Sequence, residues 1–173
     1  MSEPVQDRQS VTAEGKPIEE LIAGVKLHAS TIHVDDRGTV CEIYNQAWGV
    51  HTAPLIHIYR ATIRPGKVKG WIEHHNHDDR LMVIQGECKV VLFDNRPASP
   101  THEMINELYV TEHQPTLVVI PSRVFHALEN IGRIDVMFIN SPTEPYNYEQ
   151  PDKYRLPLEN DRIPYSFEER RGW

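Results

Sequence analysis

Short apolar runs alternate with polar residues along most of the chain, and turn-forming residues separate them. The strongest strand signals, rich in β-branched and aromatic residues, lie at 56–63, 81–85, 87–93, 105–112, 116–121, 124–130 and 135–140. Gly86-Glu87 predicts a tight hairpin turn between two of these strands, and residues 131–133 predict another. Many short strands separated by turn signals indicate an all-β protein, an antiparallel sandwich or barrel.

The N-terminal region has a different pattern from the rest of the chain. Pro17 to Val25 predicts one short helix with the proline in its first turn, following a polar, unpatterned arm. We therefore divide the chain into an N-terminal arm with a short helix (1–25), a β domain (26–167) and a C-terminal tail (168–173). A chain of 173 residues is long enough for one such domain to bury a core.

The charge balance and the lack of long apolar segments narrow the range of partners. The net charge of -7 disfavours binding to the phosphate backbone of nucleic acids. No segment approaches the roughly 18 apolar residues that a membrane span needs, and the N-terminus has no apolar signal core. Cys41 and Cys88 fit no metal or redox spacing, so we expect free thiols and a cytoplasmic protein.

The candidate chemistry is concentrated between residues 70 and 86. This stretch contains His74, His75, His77, Asp78 and Asp79, followed by an apolar strand. Imidazole and carboxylate groups this dense are costly to bury unless a metal, a substrate or one another satisfies them. The alternative is a solvated, charged loop whose histidines have no common role.

A second stretch, 121–130, places one histidine at the start of a strand. His126 follows a strand that ends at Pro121 and a tight turn. Because residues two apart on a strand share a face, Glu73 with His75, or His75 with His77, are candidates to point inward beside it. The alternative for His126 is a hydrogen-bonded histidine of the core.

These two stretches resemble the two motifs of the cupin family, G-x5-H-x-H-x3,4-E-x6-G and G-x5-P-x-G-x2-H-x3-N. The second motif matches from Pro121 through His126 to Asn130, with Arg123 in place of its glycine. The first matches loosely, with Asp79 at the acidic position. The resemblance implies a jelly-roll β-sandwich or barrel. It also implies a candidate site for a divalent metal (Zn, Ni, Mn or Fe), held by His75, His77, Asp79 and His126.

A closer resemblance extends over about residues 30 to 167. Segments at 35–42, 69–71, 85–101, 119–128 and 163–167 follow one another as in the dTDP-4-dehydrorhamnose 3,5-epimerase branch of the cupins. Members of that branch act on nucleotide-linked 4-keto-6-deoxy sugars, whose keto group acidifies the neighbouring C–H bonds. A general base removes a proton and a general acid returns one to the opposite face, without a cofactor.

Family positions imply which residues bind the substrate. Arg37, Glu42 and Lys69 match residues that line the nucleotide-sugar pocket, and His126 is expected there too. The alternative for Arg37 is an ion pair within its own turn. The family also implies a homodimer in which an N-terminal strand, here about residues 26 to 45, is exchanged between subunits.

The three catalytic positions of the family depart from its pattern. The base falls on Ile72, the enolate-stabilising lysine falls on Asp79, and the acid falls near Phe138 or Ile139. Two alternatives for the missing catalytic groups remain open. One uses His74 or His75 as base and Tyr146 or Tyr148 as acid; the other uses a divalent metal to polarise the carbonyl in place of lysine.

The departures leave three functions open. The first is an epimerase or isomerase of nucleotide-linked sugars. The second is a metal-dependent isomerase or oxygenase that acts on a small carbonyl compound. The third is a cupin that binds nucleotide sugars without turning them over.

Overall fold

The computed structural model describes residues 6–15, 17–18 and 20–167. These residues form short strands and one 3-10 helix, Gln46–Trp48. The strands are β1 Lys26–Ala29, β2 Ile32–Asp35, β3 Gly38–Cys41, β4 Tyr59–Ile63, β5 Val68–Glu73, β6 Asp79–Gln85, β7 Glu87–Asp94, β8 Ile105–Thr111, β9 Thr116–Ile120, β10 Val124–Asn130, β11 Val136–Asn140 and β12 Tyr154–Arg155.

The strands form two five-stranded antiparallel sheets and a separate hairpin. The first sheet has the order β1-β9-β6-β11-β4, and the second has the order β12-β5-β10-β7-β8. The hairpin joins β2 to β3. This arrangement confirms the predicted all-β jelly roll. Among the described residues, no helix is long and apolar enough to span a bilayer.

The two predicted hairpin turns are wrong, because each connects strands of different sheets. β6 pairs with β9 and β11, whereas β7 pairs with β8 and β10. At the corner between β6 and β7, Gly86 has a φ of 81°, and a Cβ there would lie 3.2 Å from Asp135 O. Both the left-handed backbone and the close approach favour glycine. Adjacent apolar runs therefore face one another across the core instead of pairing side by side.

The predicted N-terminal helix is not seen in the described part of residues 17–25; Glu19 lies outside the described residues. The N–H of Ile22 donates to Asn106 Oδ1 at 2.8 Å, and the N–H of Ala23 donates to Thr101 Oγ1 at 2.9 Å. Side chains of the β domain thus take the N–H groups that a helix would use internally. Ile22 is fully buried in the core. The predicted tail, 168–173, lies outside the described residues.

Apolar side chains fill the space between the sheets and also cover the outer face of the second sheet. Leu81 and Val83 of β6 meet Val90 and Leu92 of β7 in the inter-sheet core. A second cluster, on the outer face, joins Trp71 and residues of β7 and β10 to residues 156–167.

Candidate active site at the mouth of the barrel

Polar side chains converge where four strands start or end at one mouth of the barrel. Asp79 begins β6, Asn140 ends β11, His126 lies near the start of β10, and His74 directly follows β5. Asp79 alternates with the core residue Leu81, so its side chain points into the barrel. We call His74, His77, Asp79, His126 and Asp152 the imidazole cluster.

Asp79 is at the centre of the cluster and is 4% exposed. Its Oδ2 lies 3.4 Å from the Nε2 atoms of both His74 and His126. Its Oδ1 accepts a hydrogen bond from Asn140 Nδ2 at 2.7 Å. Burial raises the pKa of the carboxyl, but the hydrogen bond from His74, the charge of His74 and the hydrogen bond from Asn140 act against it, and the pKa is lowered overall. Asp79 is therefore an anion held inside the barrel.

His74 has an acceptor on each side of its ring. Nδ1 contacts the main-chain carbonyl of Asp152, and Nε2 faces Asp79. An imidazole satisfies two acceptors only when both nitrogens carry hydrogen, which makes it a cation. Burial works against the charge, but the hydrogen bond and charge of Asp79 outweigh it, so the pKa of His74 is raised. The arrangement fixes a positive charge beside the cavity.

His126 responds to the same carboxylate in the opposite way. It is 5% exposed, and burial is the largest influence on its ring. The pKa of His126 is lowered to about 4, although the charge of Asp79 acts to raise it. His126 is thus a neutral imidazole of the interior that helps to surround Asp79.

His77 and Asp152 form a second pair at the edge of the cluster. His77 Nδ1 lies 3.0 Å from Asp152 Oδ2, whereas His77 Nε2 is 3.9 Å from Asp79 Oδ1. The ring stacks on His74 with centroids 4.1 Å apart. Burial and then the charge of His74 lower the pKa of His77, which favours the neutral ring.

Asp152 is one of the site residues that sequence reasoning missed, together with Tyr59, Asn140 and Lys153. Its carboxylate accepts the main-chain N–H groups of His75 at 2.9 Å and Asn76 at 2.8 Å, as well as the ring of His77. It lies just before β12, in a proline-rich and tyrosine-rich segment that gave no motif. Only the pairing of β12 with β5 brings it next to the loop that contains the histidines.

A cavity of about 850 Å³ opens over the cluster. His74, His77 and Asp152 contribute to its wall. The remaining lining residues are His57, Tyr59, Asn76, Pro142, Glu144, Pro145, Tyr146, Asn147, Tyr148, Gln150 and Lys153. The volume falls within the range of small-molecule sites.

Tyr59 joins the cavity to the cluster through an amide. Its hydroxyl oxygen accepts a hydrogen bond from Asn140 Nδ2 at 2.9 Å. No acceptor for the hydroxyl hydrogen lies within hydrogen-bond distance in the described part of the chain, so that hydrogen is available to a ligand. Burial and the charge of Asp79 raise the pKa of Tyr59, which keeps the phenol protonated.

The loop after β5 separates His75 from the other predicted residues. β5 ends at Glu73, so strand alternation does not apply to residues 74–78. The His75 ring stacks on Tyr154 with centroids 3.7 Å apart, and its Nε2 lies 3.1 Å from Glu73 Oε1. The structure therefore brings together His74, His77, Asp79 and His126 and leaves His75 outside the cluster. Tyr146 lines the cavity and packs edge-on against Tyr148.

Three residues predicted to bind substrate lie away from this cavity. Arg37 is on the turn between β2 and β3, where its Nη2 lies 2.6 Å from Asp35 Oδ2. Glu42 accepts a hydrogen bond from Asn45 at 3.0 Å. Lys69 is exposed on β5. None of the three lines the cavity described above.

Two overlapping sets of side chains within the cluster suit a divalent metal. The first set is His74, Asp79 and His126, and the second is His74, His77 and Asp152. In each set, every residue offers one ligand atom, and these atoms all lie within 4.8 Å of one another. Imidazole and carboxylate together suit zinc, iron and nickel. The predicted ligand His75 belongs to neither set.

The fold and site define a cupin with acid–base groups at the mouth of its barrel. A profile of the polysaccharide biosynthesis C-terminal domain family matches residues 33–154, and the chain belongs to this family. It is 30% identical over 139 residues to the probable low-salt glycan biosynthesis epimerase of Haloferax volcanii. That alignment covers 80% of this chain and 89% of the relative.

Solved structures with this fold include enzymes of dTDP-sugars. The dTDP sugar isomerase of Desulfovibrio desulfuricans superposes with a TM-score of 0.78 at 23% identity, covering 84% of this chain and 91% of that one. The dTDP-4-dehydrorhamnose 3,5-epimerase of Bacillus anthracis superposes with a TM-score of 0.74 at 18% identity, covering 86% and 87%. At these identities the likeness establishes the fold.

Proposed function

We propose that this protein epimerises a nucleotide-linked 4-keto-6-deoxy sugar by removing and returning a proton next to the keto group. The observation that carries the proposal is that three members of the imidazole cluster, His74, His77 and Asp152, line a cavity of about 850 Å³. The similarity to a probable glycan biosynthesis epimerase favours the same reaction class. The dTDP-sugar enzymes that share the fold favour a nucleotide-linked substrate.

The chemistry requires a positive charge where the enolate oxygen develops. The family lysine falls on Asp79, which is an anion, but that anion holds His74 in its charged form. An imidazolium fixed in the cavity wall offers preorganised stabilisation to the enolate. Lys153 lines the same cavity and supplies a further cation for the substrate's diphosphate.

The proton that returns to carbon comes from a phenol. Tyr146 and Tyr59 both line the cavity. The hydroxyl hydrogen of Tyr59 is free for a ligand, and the amide of Asn140 would stabilise the phenolate that it leaves. Solvent deuterium exchange by the Tyr59→Phe and Tyr146→Phe proteins identifies which tyrosine is the acid. The variant that lacks the acid should lose epimerisation but still remove the substrate proton.

Solvent deuterium tests the reaction directly. Incubation with dTDP-4-keto-6-deoxyglucose in D2O is expected to introduce deuterium at C3 or C5, read by mass spectrometry and NMR. The matched control is dTDP-glucose, which lacks the keto group and should gain none. Folded protein that binds the keto sugar without exchange after long incubation would contradict epimerisation and favour the non-catalytic reading.

A metal-dependent enzyme is the second candidate, favoured by the two ligand sets around His74. A metal held there would act as a Lewis acid that polarises a carbonyl. The test is elemental analysis of fresh protein together with the melting temperature in zinc, nickel, manganese or iron(II). Protein that contains no metal and gains no stability with any of these ions would exclude it.

The predicted homodimer and cytoplasmic location stay predictions. In support of the dimer, the β2–β3 hairpin exposes the apolar side chains of Val34 and Val40, at 75% and 69%. A second subunit would cover them on association.

A further inference from the structure

We propose that His77, oriented by Asp152, is the base that removes the substrate proton. The assignment rests on the proposed epimerase function and names the residue that performs its first step. It moves the base from the strand position occupied by Ile72 to the loop that follows the strand.

The hydrogen bond to Asp152 sets the tautomer of His77. A carboxylate only accepts, so His77 Nδ1, 3.0 Å from Asp152 Oδ2, carries the hydrogen. In the neutral ring, Nε2 then has the lone pair. Among the described residues, the carboxylate oxygen nearest to it is Asp79 Oδ1 at 3.9 Å, beyond hydrogen-bond distance. A basic nitrogen is thus left available on a ring that lines the cavity.

The orienting carboxylate is itself held in place. The N–H groups of His75 and Asn76 donate to Asp152 at 2.9 Å and 2.8 Å. These bonds fix Asp152 to the same loop that contains His77, so carboxylate and imidazole move together. A carboxylate that orients an imidazole and favours one tautomer is the arrangement of a general base.

The other two imidazoles of the cluster are less suited to the role. Both nitrogens of His74 face acceptors, so it has no lone pair to offer. His126 is 5% exposed and does not line the cavity. His77 remains as the member of the cluster that combines access with an available nitrogen.

The proposed step balances without a co-reactant. His77 Nε2 forms a bond to the proton, and the substrate C–H bond breaks. Its electron pair delocalises to the keto oxygen as an enolate beside the His74 cation. A tyrosine hydroxyl then gives its proton to the opposite face of the carbon and recovers one from solvent, while His77 loses its proton to solvent.

The test compares three variants in the deuterium exchange assay. His77→Asn keeps a donor for Asp152 but has no basic nitrogen, and its exchange rate should fall about 10²-fold to 10⁴-fold. The exchange rate of His77→Ala should fall by the same factor and recover in part when imidazole is added to the solution. His113→Gln, on the exposed turn between β8 and β9 and outside the cavity wall, is the matched control and should remain within about threefold of wild type.

Asp152 is a positioning residue, so its variant needs a separate readout. Asp152→Asn should lower kcat about tenfold or more with little change in KM, because the ring loses its orientation and not its substrate contacts. Added imidazole should not rescue it.

The outcomes separate this assignment from the function on which it rests. Wild-type protein that exchanges no proton of any 4-keto sugar nucleotide overturns the function and the assignment together. Wild-type exchange with His77→Asn at a similar rate overturns the assignment alone. Rescue of His74→Ala by imidazole, without rescue of His77→Ala, would transfer the role to His74.

Discussion

Asp79 and Asp94 are two buried carboxylates whose hydrogen-bonding partners differ in chemical type. They are 4% and 0% exposed, and both have a lowered pKa. Asp94 ends β7 and receives hydrogen bonds from a fixed cation, Arg96, at 2.7 Å and from the hydroxyls of Ser99 and Thr101 at 2.6 Å each. Asp79 begins β6 and has imidazoles as partners, one of which reaches the cavity.

The difference separates a structural carboxylate from a chemical one. Arg96 also donates to Ala23 O at 2.7 Å, so the Asp94 network anchors the N-terminal segment to the barrel. Its donors cannot change protonation near neutral pH. The imidazole of His74 beside Asp79 can, and it lines the cavity. Burial and a perturbed pKa alone would not distinguish the two; partner type and access do.

Among the carboxylate substitutions, replacement of Asp79 should have the largest effect, and the property affected should be activity. In Asp79→Asn, His74 loses the charge that keeps it cationic, so stabilisation of the enolate is lost. We expect proton exchange to fall about 10²-fold to 10³-fold, measured under saturating substrate. His74 and His126 can accept from the new amide as neutral rings, so no charge is stranded, and we expect a smaller loss in melting temperature than for Asp94→Asn, in which the Arg96 charge loses its partner. Exchange within threefold of wild type would remove Asp79 from the chemistry.

Replacing Asp94 should affect stability instead. In Asp94→Asn, the amide nitrogen faces donors from Arg96, Ser99 or Thr101, and the Arg96 charge loses its partner. Breaking a buried pair in this way costs about 3 kcal/mol, or about 10 °C in melting temperature for a chain of this size. Urea unfolding and calorimetry measure the loss. Activity per folded molecule should be unchanged. A matching loss of activity would show that the Asp94 network also affects the chemistry of the Asp79 site.

Acid should weaken the fold through the Asp79 cluster before it reaches Asp94. The pKa of His126 is about 4 in the fold, below the ordinary value of 6.5, so the unfolded chain binds more protons between these values. Stability therefore falls as pH drops from about 6.5 to 4, by at most about 3 kcal/mol from this group. The raised pKa of His74 acts only above pH 6.5, where its stabilisation is lost as pH rises.

His126→Gln tests that window. The amide can still donate to Asp79 and does not titrate, so urea unfolding at pH 6.5 and 4.5 should show a smaller difference than in wild type. An unchanged difference would assign the acid sensitivity to other groups. Asp94 contributes stability above its unfolded pKa of about 3.9, so its network should withstand this range.

The pattern of apolar residues predicted the strands, but local pattern could not predict which strands pair. The apolar runs on either side of Gly86 suggested a hairpin, and their true partners lie up to about 60 residues away, as with Leu81 and Asn140. The predicted helix failed for a similar reason, because its N–H groups bond to Thr101 and Asn106. Long-range hydrogen bonds overrode local propensity in both cases.

The part of the site that could be predicted from sequence is the part that lies in the dense histidine stretch and in the second cupin motif. His74, His77 and Asp79 are close in the chain, and His126 was found from the second cupin motif. Asp152 has no motif, and its place depends on the pairing of β12 with β5. The ring direction of His75 depends on a loop conformation that no periodicity describes.

The smallest effect is expected at Asp35, which repeats the Asp-x-Arg spacing of Asp94 on the surface. Asp35 binds the guanidinium of Arg37 at 2.6 Å, but the two side chains are 48% and 84% exposed. Water and salt screen such a pair, so Asp35→Asn should leave the melting temperature within error of wild type. Calorimetry beside Asp94→Asn measures the contrast. If Asp35→Asn unfolds as early as Asp94→Asn, burial is not what distinguishes the two pairs.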